Sequence, residues 1–474
     1  MTRILGHYIS LEMLALCAAE LGLSFLLIYA MLVAGAAPDM AAPGLAALPL
    51  HPASALLAAR LVGTIGATSL AIGLYRPEIC LERRRLLFNA AIVVAIAMPA
   101  LLLAHAAVRG RLPGTLLHEL MWLAKVLFAW TICLFVTRFV FSSAVRLKLF
   151  ARRVVVVGDG IRAAAMADAI RDQQARFFEL AVLPRPAGDD ALPAAAALRQ
   201  AKVWGVVVAC DDPAGEHFAD HRAGSEMLGR VAAEVLLGWR TQGIRVIDDV
   251  EFREQQLGRI DIDHMAAERL ALGGGFRVGR LSAVLRRGLD VVVSLLLLLL
   301  ALPVMLVTAI AIKFDSDGPI FYRQLRVGQH GREFPLLKFR SMRVDAEQGR
   351  PIWAAQNDPR VTRVGAFIRA TRIDELPQIF CVLRGDMGFV GPRPERPHFV
   401  EQLAEAIPFY RHRSAVKPGI TGWAQVNFPY GASVEDAREK LSYDLYYVKN
   451  RSLFLDLLIL ISTVRVILFQ EGAR

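Results

Sequence analysis

The chain has 474 residues, of which 55% are hydrophobic and 21% are charged, and its mean hydropathy is +0.41. This composition is too apolar for a water-soluble protein and too charged for a bundle buried entirely in lipid. A membrane region with attached soluble domains is therefore expected. The net charge of +11 would suit nucleic acid or an anionic membrane face. Because the arginines lie beside apolar segments and no nucleic-acid-binding module is recognisable, membrane lipid and phosphate ligands are favoured and nucleic acid is not expected.

Four apolar segments begin the chain, at about 11–35, 54–75, 86–108 and 118–142. Each approaches the ~20 residues that cross a bilayer as a helix. Arginines are concentrated after the second and fourth segments, whereas residues 35–54 contain no Lys or Arg. The positive-inside rule then predicts a four-helix transmembrane region, residues 1–145, with both ends in the cytoplasm. Three charged residues fall in or near the segments and are expected to pair inside the bundle or to lie near an interface: Glu12, Glu20 and Arg60.

The next domain, residues 146–275, has an α/β pattern. Apolar runs predict buried parallel strands near 154–157, 180–183, 203–209 and 243–247, with a helical stretch at 161–174. The motif Gly158-x-Gly160-x-x-Ala163 approaches a dinucleotide-binding fingerprint, but no acidic ribose ligand is evident. A structural or regulatory Rossmann-like domain is favoured over a cofactor-binding one.

A long apolar segment, Val291 to Ile312, opens the C-terminal part of the chain. It is long enough to span a bilayer, but Pro303 removes one of its backbone hydrogen bonds. Lys and Arg flank both of its ends, and a spanning helix would conflict with the orientation rule. The sequence therefore predicts a re-entrant helix at 288–313 that breaks at Pro303.

The segment Arg369-Ala-Thr-Arg-Ile-Asp-Glu-Leu-Pro-Gln378 places two adjacent carboxylates, Asp374 and Glu375, among arginines. This setting suits chemistry at a phosphate ester. Cations hold the phosphate, one carboxylate attacks it, and the other holds a metal or moves a proton. An isolated Asp-Glu pair is more often a solvated helix start, so the neighbouring motifs decide the interpretation.

Those motifs lie on both sides of the carboxylates: Gly318-Pro-Ile-Phe-Tyr-Arg-Gln324, Lys338-Phe-Arg-Ser-Met342, Leu383-Arg-Gly-Asp-Met-Gly-Phe-Val-Gly-Pro-Arg-Pro394, Val416-Lys-Pro-Gly-Ile-Thr-Gly-Trp-Ala-Gln-Val-Asn427 and Tyr443-Asp-Leu-Tyr-Tyr-Val-Lys-Asn450. With them, residues 280–474 resemble the bacterial sugar transferases, monotopic polyprenyl-phosphate phosphoglycosyl transferases. The N-terminal part resembles the four-helix membrane region and nucleotide-fold domain of the long members. Residues 428–440 resemble the subgroup found with exosortase-linked exopolysaccharide clusters.

The resemblance implies an α/β membrane protein of the bacterial inner membrane. A Rossmann-like domain and a mostly helical monotopic catalytic domain, residues 276–474, would lie on the cytoplasmic face. The implied reaction transfers a sugar-1-phosphate from a UDP-sugar to polyprenyl (undecaprenyl) phosphate and releases UMP, as the first membrane step of exopolysaccharide biosynthesis. The transferred sugar is expected to be glucose or galactose, and a homodimer is the expected assembly.

The resemblance also implies residue roles. Asp374 would be the nucleophile of an aspartyl-phosphosugar intermediate, and Glu375 would bind Mg²⁺ or assist proton transfer. The implied substrate- and phosphate-binding residues are Lys338, Arg340, Arg369, Pro392, Arg393, Pro394 and Gln425. Interfacial snorkelling is the alternative for the cations that follow the membrane segment, and a tight connection is the alternative for the Pro-Arg-Pro turn.

Two other functions stay open at this stage. One is a membrane-anchored nucleotide-binding regulator or scaffold of polysaccharide assembly, built on the Rossmann-like domain. The other is a lipid-linked diphosphate hydrolase, in which the same carboxylates would serve and water would replace the lipid acceptor.

Overall fold

The computed structural model describes residues 2–4, 7–9, 11–36, 52–75, 80, 82–109, 116–158, 163, 164, 166, 178–183, 193–209, 233–262, 279–343, 360–428, 431 and 433–469. The protein is a mostly helical α/β protein with several long apolar helices near the N-terminus and a parallel sheet. It forms two compact units, one of Met1–Thr2 and Ile9–Phe252 and the other of Arg3–Tyr8 and Arg253–Arg474.

Two short paired strands and four long helices begin the chain: β1 (Thr2–Ile4), β2 (His7–Ile9), α1 (Leu11–Ala36), α2 (Pro52–Ile72), α3 (Arg83–Arg109) and α4 (Leu116–Arg146). α1 packs against α2 and α4, and α3 packs against the same two helices, so the four helices form a closed bundle. Within the described residues, α1, α2 and α4 each contain a stretch long and apolar enough to cross a membrane, and α3 contains a shorter apolar stretch, Leu86–Leu102. The four predicted apolar segments are thus confirmed as helices.

The charged residues of the bundle are mostly paired. Glu20 and Arg138 are buried, with Glu20 Oε2 3.2 Å from Arg138 Nη2. The hydroxyl of Tyr75 donates to Glu20 Oε1 at 3.0 Å, and Arg138 donates to the carbonyl of Leu74 at 3.1 Å. Pairing is the arrangement that polar groups need in an apolar bundle. Glu12 accepts a bond from Arg152, whereas the side chain of Arg60 is exposed.

A four-stranded parallel sheet follows the bundle in the same unit. Its strands are β3 (Arg152–Val157), β4 (Phe178–Leu183), β5 (Val203–Val208) and β6 (Arg245–Asp248), in the spatial order β4-β3-β5-β6. α5 (Ala195–Gln200), α6 (Ala233–Thr241) and α7 (Asp249–Leu257) accompany it. The four predicted strands are confirmed. They form here because consecutive β-branched residues suit a strand that is covered on both faces. Most of the helix predicted at 161–174 and part of the glycine motif lie outside the described residues.

The second unit is built from the following elements: α8 (Arg280–Asp315), β7 (Phe321–Val327), β8 (Glu333–Phe339), α9 (Arg363–Ala370), α10 (Gln378–Arg384), β9 (Gly388–Val390), α11 (Pro397–Ala406), β10 (Gly419–Thr421), α12 (Trp423–Asn427), α13 (Val434–Asn450) and α14 (Leu453–Phe469). β7 and β8 form an antiparallel hairpin, and β9 pairs with β10 in parallel. An apolar core joins α8, β8 and α9 through Met305, Ile312, Phe339 and Ile368.

Residues 253–262 pack with this second unit. Glu254 accepts bonds from Lys449 at 2.7 Å and Asn450 at 2.9 Å, and the carbonyl of Gly258 accepts a bond from the Trp423 indole at 2.7 Å. The unit boundary therefore falls inside α7, earlier than the boundary at 275/276 that the sequence suggests. Because these are long-range contacts, composition near 270 could not reveal them.

The apolar helix α8 differs from the expected helix–break–helix. It runs without interruption from Arg280 to Asp315, with Pro303 inside it. A proline can bend a helix without ending it, because it removes one hydrogen bond while the flanking turns stay intact. The helix is also longer than the predicted span of 288–313, because Arg286 and Arg287 at its start are bonded to the rest of the unit.

The C-terminal helix α14 packs on the same unit. Asp456 is buried and accepts bonds from Arg286 Nε at 2.7 Å and from the hydroxyl of Tyr447 at 2.7 Å. Leu455 and Ile459 are buried, whereas Leu457 is 51% exposed. One face of α14 is therefore part of the core, and the other is apolar and uncovered. On the buried face, the bonds of Asp456 attach the helix to the rest of the unit.

Candidate active site

The two adjacent carboxylates lie in a short turn between α9 and α10. Thr362 caps α9 by accepting a bond from the Gly365 amide at 2.9 Å, and the helix ends at Ala370. Arg372 then takes a left-handed conformation with φ of 58°, which is uncommon for a residue with a side chain. Asp374 and Glu375 follow in a single 3₁₀ turn, and Pro377 begins the next helix. The backbone reversal at Arg372 directs both carboxylates into the domain.

Glu375 is held by two cations. Its Oε1 accepts a bond from Lys338 Nζ at 2.9 Å and from Arg393 Nη2 at 3.0 Å. The Glu375 side chain is 14% exposed, against 20% for Lys338 and 34% for Arg393. Although burial favours the neutral carboxyl, the two cations hold the pKa of Glu375 well below its usual range. Glu375 is therefore a permanently ionised residue that gathers positive charge at this turn.

Among the residues that the structure describes, Asp374 has no such direct pairing. It is 8% exposed, and burial raises its pKa above the usual value, with the neighbouring charge of Glu375 acting in the same direction. Lys338, Arg369 and Arg393 act against this shift. A desolvated carboxylate facing cations is a stronger nucleophile than a hydrated one, because less water must be removed before it attacks.

Arg393 reaches Glu375 from the turn Gly391-Pro-Arg-Pro394, which follows β9. The turn lies against β10 with no room for side chains between the two backbones. A Cβ on Gly391 would lie 2.2 Å from the carbonyl oxygen of Lys417, and one on Gly419 would lie 2.1 Å from the nitrogen of Gly391. The two prolines restrict the backbone on either side of Arg393. Backbone packing therefore fixes where the Arg393 side chain leaves the turn, and its bond to Glu375 holds the guanidinium.

Arg340 occupies a different position from the carboxylates. It is 5% exposed, and its guanidinium donates to the carbonyls of Ser316 and Asp317, the former at 2.6 Å. These carbonyls come directly after α8, which ends at Asp315, so Arg340 holds the chain where it leaves the helix. Its Nε is buried with no hydrogen-bond partner among the described residues. Phosphate binding by Arg340 stays a prediction.

The remaining predicted residues are distributed around the turn. Arg369 lies near enough to Asp374 to lower its pKa. Gln425 donates to the carbonyl of Ile420 at 3.2 Å, while its buried Oε1 has no hydrogen-bond partner in the part of the chain that the structure describes. A surface pocket beside the Pro-Arg-Pro turn includes Pro392, Arg393, Pro394 and Arg411 among its lining residues. The structure thus brings Lys338, Glu375 and Arg393 into direct contact.

Within the described residues, no group of three or more His, Cys, Asp or Glu side chains is placed to hold a metal ion. The chemistry of the site nevertheless fits a magnesium ion that is held mainly by substrate. Magnesium takes one or two carboxylates together with phosphate oxygens and water, and Glu375 is ionised with only its Oε1 engaged by the two cations.

Two buried residues beside the turn were missed by the sequence reasoning. Arg413 donates to the carbonyl of Arg393 at 3.0 Å and to Asp444 Oδ2 at 2.7 Å. Asp444 belongs to the Tyr443-to-Asn450 motif, so the motif itself was visible. A charged residue inside an otherwise apolar helical stretch, Leu441 to Val448, was the available signal that Asp444 is buried and paired.

Comparison with known proteins identifies the family of the C-terminal part of the chain. Residues 281–470 match the bacterial sugar transferase family. The chain is 46% identical over 224 residues to the UDP-N-acetylgalactosamine-undecaprenyl-phosphate N-acetylgalactosaminephosphotransferase of Aeromonas hydrophila, covering 47% of this chain and 52% of that protein. It is 41% identical over 211 residues to the UDP-glucose:undecaprenyl-phosphate glucose-1-phosphate transferase of Caulobacter vibrioides, covering 44% of this chain and 79% of the relative.

The similarity also extends beyond the C-terminal part. The chain is 34% identical over 346 residues to the undecaprenyl-phosphate glucose phosphotransferase of Komagataeibacter xylinus, covering 69% of this chain and 61% of that protein. The matches span only 39–52% of the full length of several relatives, including the Aeromonas hydrophila protein. The chain belongs to the bacterial sugar transferase family.

Proposed function

We propose that this protein transfers a sugar-1-phosphate from a UDP-sugar to undecaprenyl phosphate and releases UMP. The observation that carries the proposal is the pairing of Glu375 with Lys338 and Arg393 next to the buried carboxylate of Asp374. Phosphoryl transfer needs an in-line nucleophile and positive charge around the phosphorus, and this turn offers both. The names of the relatives specify undecaprenyl phosphate as acceptor and UDP-sugars as donors.

In the proposed first step, an oxygen of the Asp374 carboxylate attacks the phosphorus that carries the sugar. A P–O bond forms, the bond between the two phosphates breaks, and UMP leaves with the electron pair of that bond. In the second step, a phosphate oxygen of the lipid attacks the same phosphorus and releases the Asp374 carboxylate. Lys338 and Arg393 would stabilise charge on the phosphoryl oxygens in both steps. Each step thus conserves charge and requires no redox partner.

The donor's diphosphate would bring a magnesium ion to Glu375. When bound, Mg²⁺ neutralises phosphate charge and favours departure of the nucleotide. Glu375 keeps Lys338 and Arg393 in position whether or not the ion is present. Its depressed pKa keeps it available as an oxygen ligand throughout the neutral pH range.

The contacts of α8 support a re-entrant position in the membrane. At about 1.5 Å per residue the 36-residue helix is ~54 Å long, against ~30 Å for the hydrocarbon core. Near its start, Asp290 accepts a bond from the Phe389 amide at 2.9 Å, and at its end Asp315 accepts one from the Val364 amide at 3.0 Å. Asp290 and Asp315 are therefore bound to the same compact unit, and we infer that α8 enters the membrane from the side of this unit without crossing it.

The uncovered face of α8 supplies the apolar surface that membrane insertion requires. Large apolar side chains along the whole helix are exposed, for example Leu281, Leu299 and Ile310. Phe314 is 88% exposed and Phe367 of α9 is 63% exposed, so the apolar surface continues onto the catalytic unit. In this arrangement the catalytic unit lies on the cytoplasmic face of the bacterial inner membrane, where UDP-sugars are available. The reaction would then begin exopolysaccharide assembly.

The test is UMP release by the purified full-length protein in lipid nanodiscs, with undecaprenyl phosphate and a panel of UDP-glucose, UDP-galactose and UDP-N-acetylgalactosamine. We expect release that depends on both the acceptor and one preferred donor, together with a radiolabelled sugar diphosphate lipid as product. Continuous UMP release without acceptor would instead indicate a hydrolase. No release with any donor and acceptor, under conditions in which a relative is active, would favour the scaffold function.

A further inference from the structure

The turn that carries Arg393 is held by the buried ion pair of Arg413 and Asp444, which contacts the backbone of the turn. The Asp444 side chain is 3% exposed and that of Arg413 is 11% exposed. Asp444 Oδ2 accepts bonds from Arg413 Nε at 3.0 Å and from Arg413 Nη2 at 2.7 Å. Two bonds to one oxygen fix the plane of the guanidinium, because both donors belong to the same rigid group.

The orientation of Arg413 has a direct consequence for the turn. The same Nη2 donates to the carbonyl of Arg393 at 3.0 Å. On its other edge, Nη1 donates to the Tyr410 hydroxyl at 3.3 Å, and the guanidinium lies 5.2 Å from the centre of the Tyr410 ring. Asp444 and Tyr410 thus hold Arg413 from two sides, so it acts as a fixed donor to the backbone of the turn.

The next carbonyl of the turn is held in a similar way. Arg326 of β7 donates through Nη1 to the carbonyl of Pro394 at 2.9 Å, and the amide of Val327 donates to the carbonyl of Glu395 at 2.9 Å. Three consecutive carbonyls are therefore fixed by groups from outside the turn. Since the prolines on either side of Arg393 leave its backbone little freedom, these bonds determine where its guanidinium meets Glu375.

We infer that Asp444 and Arg413 are positioning residues for the transfer reaction, acting through the backbone of Arg393 on the cation that Glu375 binds. The inference rests on the proposed function. A purely structural role, in which the pair only attaches α13 to the 410–415 turn, is the competing explanation. The two differ in one respect: a positioning pair loses its effect on the rate once Arg393 no longer has a guanidinium.

A double-mutant cycle tests this difference. We expect Asp444→Asn to lower kcat/KM about tenfold to a hundredfold, because it removes the charge that orients Arg413. In an Arg393→Ala background the same change should alter kcat/KM by less than about threefold. Equal losses in both backgrounds would overturn the inference. The matched control is Glu435→Gln, which removes an exposed carboxylate from the same helix and should leave the rate unchanged.

Arg413→Lys provides a second variant if Asp444→Asn fails to fold. Lysine keeps the charge that faces Asp444, but a single ammonium lacks the planar fork that serves Asp444 and the Arg393 carbonyl together. The positioning role predicts a rate loss comparable to that of Asp444→Asn, again absent in the Arg393→Ala background. A rate equal to that of wild type would overturn it.

Hydrogen–deuterium exchange separates this inference from the proposed function. In Asp444→Asn, peptides covering residues 388–396 should exchange faster than in wild type and in Glu435→Gln, since the turn loses one of its anchors. Unchanged exchange there would overturn the positioning role. An inactive wild type would refute the proposed function, whereas the exchange result would still decide whether Asp444 holds the turn.

Discussion

Glu375→Gln is the substitution that most directly tests the electrostatics of the site. Glutamine keeps the shape and one acceptor oxygen but loses the charge that Lys338 and Arg393 share. In the wild type both cations bond to Oε1, at 2.9 and 3.0 Å. In the variant two positive side chains would face a neutral amide and repel each other, so we expect them to move away from their productive positions.

The size of the effect follows from the geometry. A hydrogen bond to a charged group contributes about 1.5–3 kcal/mol. Two bonds are weakened here, but Lys338 and Arg393 remain 20% and 34% exposed, so water offsets part of the loss. A combined loss of about 2–3 kcal/mol corresponds to a decrease in kcat/KM of about 30- to 150-fold. The variant should also have a lower thermal midpoint at neutral pH, because ionised Glu375 stabilises the fold above the ~4.3 pKa of an unfolded glutamate.

The pH dependence gives a second, independent readout. Asp374 attacks as the carboxylate, so kcat/KM falls when acid protonates it. Burial and the charge of Glu375 raise the pKa of Asp374, while Lys338 and Arg393 lower it. Removing the Glu375 charge leaves the two cations unopposed, and the pKa of Asp374 should fall. The acid limb of the profile should therefore move to lower pH in Glu375→Gln.

The assay is UMP release in nanodiscs across pH, at several Mg²⁺ concentrations, for wild type, Glu375→Gln and the exposed control Glu435→Gln. A wild-type rate in Glu375→Gln with an unmoved acid limb would refute the role of Glu375 as the organiser of these cations. A reduced rate that recovers at high Mg²⁺ would assign Glu375 to metal binding as well. An unchanged metal requirement would mean that another group holds the ion.

Three further predictions concern the nucleophile, the topology and the backbone contact behind the turn. Asp374→Asn should lower the rate by several orders of magnitude, and activity within tenfold of wild type would exclude Asp374 as nucleophile. The thermal midpoint of this variant should rise, because the raised pKa of Asp374 means that its ionised carboxylate destabilises the fold at neutral pH. Cysteines introduced at Gly279 and Gly328 should both be inaccessible to a membrane-impermeant reagent in intact cells; labelling at only one would mean that α8 spans the bilayer. Gly419→Ala should lower the thermal midpoint markedly, because its Cβ would lie 2.1 Å from a backbone nitrogen, whereas Gly288→Ala, with open space around the new carbon, should not.

The sequence was sufficient for the elements whose signals are local. Length and hydropathy predict the four N-terminal helices, because a helix in lipid must satisfy its own backbone groups and so needs a continuous apolar run. Runs such as Val154–Val157 predict the parallel strands, since strands covered on both faces are apolar throughout. The order and spacing of the motifs around Asp374 predict the family, which the comparisons confirm.

The extent of α8 was beyond local reasoning. Pro303 suggests a break, yet the helix continues through it, because the proline removes only one hydrogen bond and the flanking turns stay intact. The contacts of Arg340 were also beyond local sequence reasoning. The motif around Arg340 is compatible with a phosphate ligand. Two of its nitrogens instead donate to the carbonyls of Ser316 and Asp317, which follow α8 and lie more than twenty residues away in sequence.

The sequence by itself determined which residues could perform the chemistry: an Asp-Glu pair, a lysine that follows the apolar segment, and an arginine between two prolines. The tertiary structure decided how they are arranged. It placed Lys338 and Arg393 on one oxygen of Glu375, and it left Asp374 buried with no direct partner in the described part of the chain. The physical reason is that pKa values and cation positions depend on burial and on charges brought together from distant parts of the chain, and residue type alone specifies neither.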